Sequence, residues 1–289
     1  MICNICPRRC AAERTERSGA GACAMPAGLR IARAGLHFWE EPCISGERGS
    51  GAIFFSGCNL RCCFCQNGTI SAGGFGKAVS TNRLCRIMEE LVSQGAHNIN
   101  LVTPTHFTPW ILEALNEPLG VPVVWNCGGY ETVETLRTLE GKVQIYLPDF
   151  KYAMKEPALR YSRAADYFDY ASAAILEMFR QTGPYQMEDG LLRRGVVIRH
   201  LVLPGQMENT RRCIDWVAEQ FRPGDVLFSL MAQYTPQPDG PRELDRHVTG
   251  AEYRAAVEYM ENCGIVDGFT QERTSAREEY TPPFDLTGV

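Results

Sequence analysis

The sequence has no uninterrupted apolar run of about 18 residues, so no membrane-spanning helix is expected. Nor does the opening stretch "MICNICPRRC" carry an apolar segment of signal-peptide length, and a cytoplasmic protein is expected. Positive charge is also short. With 29 Lys and Arg against 34 Asp and Glu, the net charge of -5 offers no broad footprint for nucleic-acid phosphates. No sequence repeat or low-complexity tract stands out, which leaves a folded chain as the expectation. At 289 residues and 45% hydrophobic, it can bury the core of one large α/β domain or of two smaller ones.

Cysteine, by contrast, is abundant. Thirteen are present, many two or three positions apart, which suits metal ligation in a reducing compartment better than a disulfide framework. Five lie in residues 1–43, four in 58–65, and four are scattered. Residues 1–50 show little periodic apolar pattern and read as a short Cys-rich, metal-stapled extension, because so small a segment does not easily support its own core. Residues 51–289 form the main domain.

In that domain, six β-branched, nearly continuous runs read as buried parallel strands: 52–57, 98–103, 121–126, 143–148, 196–203 and 226–232. Amphipathic stretches alternate with them. Leu84, Ile87, Met88 and Leu91 keep helical spacing behind capping candidates at 80–82; Ile214, Val217, Ala218 and Phe221 do so behind Asn209. Tyr253, Ala256, Val257 and Met260 mark another helix, and 169–183 a further one ended by Gly183 and Pro184. Strand alternating with helix predicts a parallel α/β fold, either a partial or full barrel or an open doubly wound sheet.

The first run leads into "FFSGCNLRCCFCQN". Cys58, Cys62 and Cys65 are spaced C-x3-C-x2-C, while Cys63 adjoins a neighbour that already binds. Three thiolates suit a cubane iron–sulfur cluster whose fourth iron keeps no protein ligand, and a loop after the first strand lies where parallel α/β folds place their chemistry. Zinc is the alternative metal for such spacing.

Around these residues the sequence resembles the radical SAM superfamily, whose C-x3-C-x-aromatic-C signature is matched by Cys58, Cys62, Phe64 and Cys65. The resemblance extends over nearly the whole chain to a branch related to pyruvate formate-lyase-activating enzyme, through "CNICPRRC", "EEPCISG", "GSGAIFFSGCNL", "NINLVTPTHF", "YLPDFKY", "RHLVLPG" and "LMAQYTP". It implies an α/β fold of the partial (β/α)6 radical SAM barrel type. It also implies a [4Fe-4S] cluster whose open iron chelates S-adenosylmethionine (SAM), and reductive cleavage to a 5'-deoxyadenosyl radical that takes hydrogen from a substrate. An electron donor such as flavodoxin or ferredoxin is implied as partner.

Phe64 would then lie beside the adenine, and Asp149 and Lys151, the Asp-x-Lys ending the fourth strand, would contact SAM. As alternate residues of one strand end, both can face the barrel mouth; a structural salt bridge is the other reading. The second strand ends in "VTPTH", where the superfamily usually has a glycine-rich turn for the SAM amino group; Pro104 replaces glycine, so Thr103 and Thr105 are offered on their hydroxyl and carbonyl acceptors.

Further polar residues interrupt apolar runs. His106 is a candidate proton donor or simply the start of a helix. Asn126 ends the third strand, and Gln233 and Tyr234 follow the sixth. Arg199 and His200 are adjacent and must point to opposite faces; Arg199 is favoured inside, for a carboxylate or phosphate. Cys127 is a candidate hydrogen donor or a small buried hydrophobe.

Cys3, Cys6, Cys10 and Cys23 read C-x2-C-x3-C-x12-C, four thiolates for zinc or a fully ligated iron–sulfur cluster. Zinc or another structural role is preferred, since nothing after Cys23 suggests a ferredoxin fold. Cys43 can replace any one of the four. The substrate is expected to be a small molecule enclosed by the extension. A glycyl radical enzyme activated in trans is the second possibility, and a zinc-stapled interaction module without catalysis the third.

Overall fold

The computed structural model describes residues 2–271 and 281–289. The chain opens with a two-stranded antiparallel ribbon, β1 (Ile2–Cys3) against β2 (Ala12–Glu13), and then enters the sheet through β3 (Leu29–His37). A short helix α1 (Pro42–Ser45) precedes β4 (Ser50–Phe55), and α2 (Gly68–Ser71), β5 (Lys77–Val79) and α3 (Thr81–Ser93) follow. Next come β6 (Ile99–Val102), α4 (Thr108–Ala114), β7 (Val123–Cys127), α5 (Val133–Arg137) and β8 (Ile145–Pro148). Two helices, α6 (Lys155–Ser162) and α7 (Tyr167–Thr182), lead to a hairpin of β9 (Gln186–Glu188) and β10 (Leu191–Leu201). The chain continues through α8 (Met207–Gln220), β11 (Leu227–Met231), α9 (Gly250–Asn262) and β12 (Gly268–Thr270).

The six apolar runs become β4, β6, β7, β8, β10 and β11, which lie side by side in chain order, all parallel. That order is what right-handed strand–helix–strand crossovers produce when they wind one way. Parallel β12 extends one edge, while β3 and β5 extend the other antiparallel, so the sheet is a barrel that stays open. The partial barrel expected from the sequence is the architecture found.

Because strand side chains alternate, each strand feeds two cores. On β7, Val123, Trp125 and Cys127 face the helices, while Val124 faces the interior. The helices behave as their spacing predicts. Leu84, Ile87, Met88 and Leu91 of α3 are buried, and the Ser80 hydroxyl caps the helix by accepting from Arg83 N at 3.2 Å. Gly183 closes α7 with φ +67. Asn209 differs from expectation: it lies inside the first turn of α8, and its side chain goes to the 151–154 loop instead of capping the helix.

Two segments fill the open barrel. Cys43 and Ile44 of α1 plug its lower end against Val124, Ile145, Leu147 and Val197. At the edge, residues 281–289 lie along β3, where Leu286 N donates to Ala32 O at 3.0 Å and Ala34 N to Thr287 O at 2.9 Å. Sequence periodicity did not mark β3, because LRIARAGLH mixes arginine into its apolar positions. The strand nevertheless pairs with β4 along most of its length.

Candidate functional site

The loop after β4 carries the triad at the upper, C-terminal end of the barrel. Its approach is set by Gly57, whose φ is +79; a β-carbon there would lie 2.3 Å from Met25 Cγ and 3.0 Å from the Cys23 carbonyl oxygen. Only glycine fits so close a backbone contact in that conformation. Beyond it, Cys62 and Cys65 line a cleft of about 210 Å³ together with Phe64, Asn126, Asp149 and Lys151. Cys58 lies in the electrostatic field of Cys65, and Cys62 in that of both. Each sulfur has a donor: Leu60 N to Cys58 Sγ at 3.4 Å, Ser162 Oγ to Cys62 Sγ at 2.9 Å and Ser71 Oγ to Cys65 Sγ at 3.3 Å.

Cys63 turns the other way. It is exposed, its N–H donates to Tyr161 O at 2.9 Å, and its charged neighbours are Glu243, Arg160 and Arg163. Phe64 turns inward and is buried, with its ring set edge-on to Tyr161 and Tyr234 at 6.3 Å each. Burial raises the Cys62 thiol to about 12 against the opposing pull of the Lys151 ammonium. A metal or a nearby cation is what favours the thiolate in so buried a place.

Asp149 and Lys151 both face the cleft, as strand alternation predicts, and Lys151 Nζ donates to Asp149 Oδ2 at 2.6 Å. They are held from behind. Tyr167 Oη donates to Asp149 O at 2.6 Å and accepts from Lys151 N at 3.0 Å, while Asn209 Nδ2 donates to Lys151 O at 2.9 Å. At Gly129 a β-carbon would lie 2.3 Å from Asp149 O, so the β7 loop passes flat against this strand end.

Arg199 points inward and His200 outward. Around the guanidinium, Asp149 Oδ1 accepts from Nε at 2.9 Å, Glu40 Oε2 from Nη1 at 3.0 Å and Asn126 Oδ1 from Nη2 at 2.7 Å. Its fork is thus filled by protein groups, so it organises the cleft floor. Burial works against the charges here, yet Arg199 and Lys151 hold the Asp149 carboxyl below its ordinary value. His200 is satisfied on both nitrogens by Phe150 O and Thr210 Oγ1, and burial lowers it to about 4.

Four expected site residues are placed differently. Thr103 adopts φ +59, a region rare for a β-branched residue, and its N–H donates to Asn126 O at 2.8 Å. The strained turn that glycine would ease is therefore present without glycine. Thr105 is buried away from the cleft, with its hydroxyl on Glu131 Oε1. His106 is buried beneath the extension: its Nε2 pairs with Ser56 O at 2.7 Å, its carbonyl accepts from Arg14, and burial lowers it to about 4. Cys127 faces the helices, where Trp125 and Tyr130 also pack, because its neighbour Asn126 takes the inward position. A direct contact with a ligand in the cleft is not open to Thr105, His106 or Cys127 in this arrangement.

Behind the cleft Thr105 and Cys127 meet Glu131, whose Oε2 has no partner. Burial raises this carboxyl to about 8 from an ordinary 4.5, more than the bonds from Thr105 and Cys127 lower it. The folded state therefore holds a proton that the unfolded chain has lost, and stability should decline as pH rises from about 4.5 to about 8. Glu131→Gln should flatten that decline and raise the melting temperature at pH 9; parallel wild-type and mutant curves would rule the assignment out.

Of the N-terminal cysteines, Cys6 lies in the field of Cys3 and Cys23, and Cys23 in that of Cys3 and Cys10. Cys43 is not with them. It sits in the barrel plug, so it does not substitute for one of the four, and burial there raises it to about 12. Among the described residues, no three His, Cys, Asp or Glu side chains converge on a position for one metal ion.

No protein-family model matches the chain. Over 276 residues, 91% of this chain and 75% of the relative, it is 30% identical to the uncharacterized protein MJ0674 of Methanocaldococcus jannaschii. The chain belongs to that protein's family. Among solved structures, SuiB of Streptococcus suis shares its fold, with a TM-score of 0.53 at 13% identity. That match takes in 74% of this chain but only 47% of SuiB, less than half of the solved protein. A domain of pyruvate-formate lyase-activating enzyme from Bacteroides vulgatus aligns over 66% of this chain and 91% of its own length at 10% identity, with a TM-score of 0.37. With its open parallel barrel and the SuiB match, the chain has the partial-barrel α/β fold that the sequence led us to expect.

In this family member the sequence reading missed Glu40 and Glu41. Both stand in a stretch singled out only for Cys43. Glu40 accepts from Asn100 and Asn126 Nδ2, each at 3.1 Å, as well as from Arg199. Glu41 is buried, its Oε2 stands 4.0 Å from Arg199 Nη1, and burial raises its carboxyl. A paired acid just before a proline was the available signal, but nothing local showed that it reaches into a barrel built from later residues.

Proposed function

We propose that the protein is a radical SAM enzyme acting on a small molecule held in the cleft above the Arg199 floor. The observation that carries this is the split of the four clustered cysteines: Cys58, Cys62 and Cys65 share one field at the cleft, and Cys63 faces out. Three ligands suit a cubane cluster with one iron left for SAM. When bound, the cluster and SAM supply a 5'-deoxyadenosyl radical that takes hydrogen from the substrate.

The chain's own residues do the rest. Phe64 offers an apolar face at the cleft beside Cys62, suited to a flat base. Asp149 accepts from donors such as ribose hydroxyls or an ammonium, and Lys151 offers a cation to a carboxylate. Arg199, Asn126 and Glu40 form a floor with few loose donors, so they fix the position of Asp149. An external low-potential one-electron donor of the flavodoxin or ferredoxin class completes the system, and Cys3, Cys6, Cys10 and Cys23 hold a second metal.

Two features favour a small substrate over a partner's glycine loop. The extension lies across the loops at the upper end, and residues Thr281 and Pro282 line the cleft from the C-terminal side. Activation of a glycyl radical enzyme is the second reading. Lys151→Met should weaken SAM binding at least about tenfold, the scale of one charge-assisted hydrogen bond. Anaerobic equilibrium dialysis measures this directly, and unchanged affinity would take Lys151 out of the site.

A further inference from the structure

We infer that Cys3, Cys6, Cys10 and Cys23 hold an iron–sulfur cluster, a redox inlet beside the Cys58 loop, rather than a structural zinc ion. The inference builds on the proposed function. Its starting point is that protein contacts fasten the extension to the barrel. Arg8 Nε donates to Asn59 O at 2.7 Å and Nη2 to Ser162 O at 2.7 Å, Arg14 Nη1 donates to His106 O at 2.6 Å, and Thr135 Oγ1 donates to Ile5 O at 2.5 Å. A structural ion is needed where such contacts are lacking.

The second observation is where those fastenings lead. Asn59 follows Cys58, and Ser162 is the residue whose hydroxyl donates to Cys62 Sγ. The Cys23 carbonyl lies against Gly57, the residue before Cys58. The two cysteine groups are therefore neighbours, meeting where the Cys23 backbone lies against Gly57.

The sulfur environment is the third. Main-chain N–H groups of Arg8, Ala12, Ala22 and Met25 bond Cys6, Cys10 and Cys23. The Arg14 cation lies 3.9 Å from Cys3 Sγ and within the field of Cys10 and Cys23. Gly21 keeps room for Cys10, since a β-carbon there would lie 2.8 Å from its Sγ. Hydrogen bonds to sulfur and nearby charge set the potential of iron–sulfur clusters. Cys3, Cys6 and Cys23 are buried while Cys10 is exposed, which gives the group one edge toward solvent and one toward Cys58.

Spacing agrees with this. A zinc ion with Zn–S near 2.3 Å draws four sulfurs to about 3.8 Å from one another, by tetrahedral geometry. The four thiols share a field, yet no three of them converge on a single-ion position; the same holds for Cys58, Cys62 and Cys65. In a cubane each cysteine takes its own iron, so the sulfurs stay farther apart.

Full-length protein reconstituted anaerobically tests the inference by iron, sulfide and zinc analysis with a reductive titration. The expected wild type holds about eight irons and takes up about two electrons per chain, one for each cluster. The variant with Cys58, Cys62 and Cys65 all changed to alanine should keep about four irons, take up about one electron from a low-potential donor protein, and show a reduced-cluster signal in electron paramagnetic resonance. Cys3→Ala with Cys6→Ala should leave about four irons and one electron. About four irons plus one zinc in the wild type would overturn this inference and spare the radical SAM reading, whereas zinc alone would remove both. If either variant misfolds, the wild-type metal count and electron count still decide.

Discussion

Alanine in place of Cys58, Cys62 or Cys65 should reduce 5'-deoxyadenosine formation to background and strip iron from the cleft, while Cys63→Ala should keep both within about twofold. The contrast rests on orientation. Cys62 and Cys65 line the cleft and Cys58 shares their field, and each of the three receives a hydrogen bond at its sulfur. Cys63 is exposed, on the side of Arg160 and Glu243. Chromatographic detection of 5'-deoxyadenosine from anaerobically reconstituted protein given SAM and dithionite measures this. A Cys63→Ala protein that loses iron with the others would mean that the ligand set is wrong.

Arg199→Ala should be the most destabilising single substitution in the cleft. It removes the cation shared by Asp149, Glu40 and Glu41 and the donor to Asn126 Oδ1, leaving Lys151 as the cation still paired with Asp149 and only the amides of Asn100 and Asn126 on Glu40. Breaking a buried ion pair from one side costs about 3–5 kcal/mol. For a chain of this size that lowers the melting temperature by roughly 10 °C. Glu40→Gln should cost far less, since its carbonyl oxygen still accepts from Arg199 and no charge is stranded. Thermal unfolding followed by circular dichroism compares the two; equal, small losses would show that Arg199 is not what holds the floor together.

Much of this arrangement is local chemistry that a sequence displays. Strands β4, β6, β7, β8, β10 and β11 were legible because a strand buried on both faces needs an unbroken apolar run. Cys58, Cys62, Phe64 and Cys65 were legible because one loop supplies them all. Asp149 and Lys151 share a face by strand alternation, and Arg199 and His200 must part for the same reason. What misled was the assumption that a polar residue near a strand end looks into the barrel. Cys127 is still in β7 and alternates outward to the helices, while at Thr105 and His106 the chain turns and buries the side chains against Glu131 and the Ser56 carbonyl.

By itself the sequence determined the six apolar strands, the cysteine loop after the first of them and the acid–lysine pair after the fourth, because each depends on neighbours a few positions apart. Only the tertiary structure decided that Glu40 and Glu41 reach the floor, that Arg199 is filled by Asp149, Glu40 and Asn126, and that Cys23 lies against Gly57. These contacts join residues 34 to 159 positions apart, and no local pattern encodes which distant side chain will complete a buried charge.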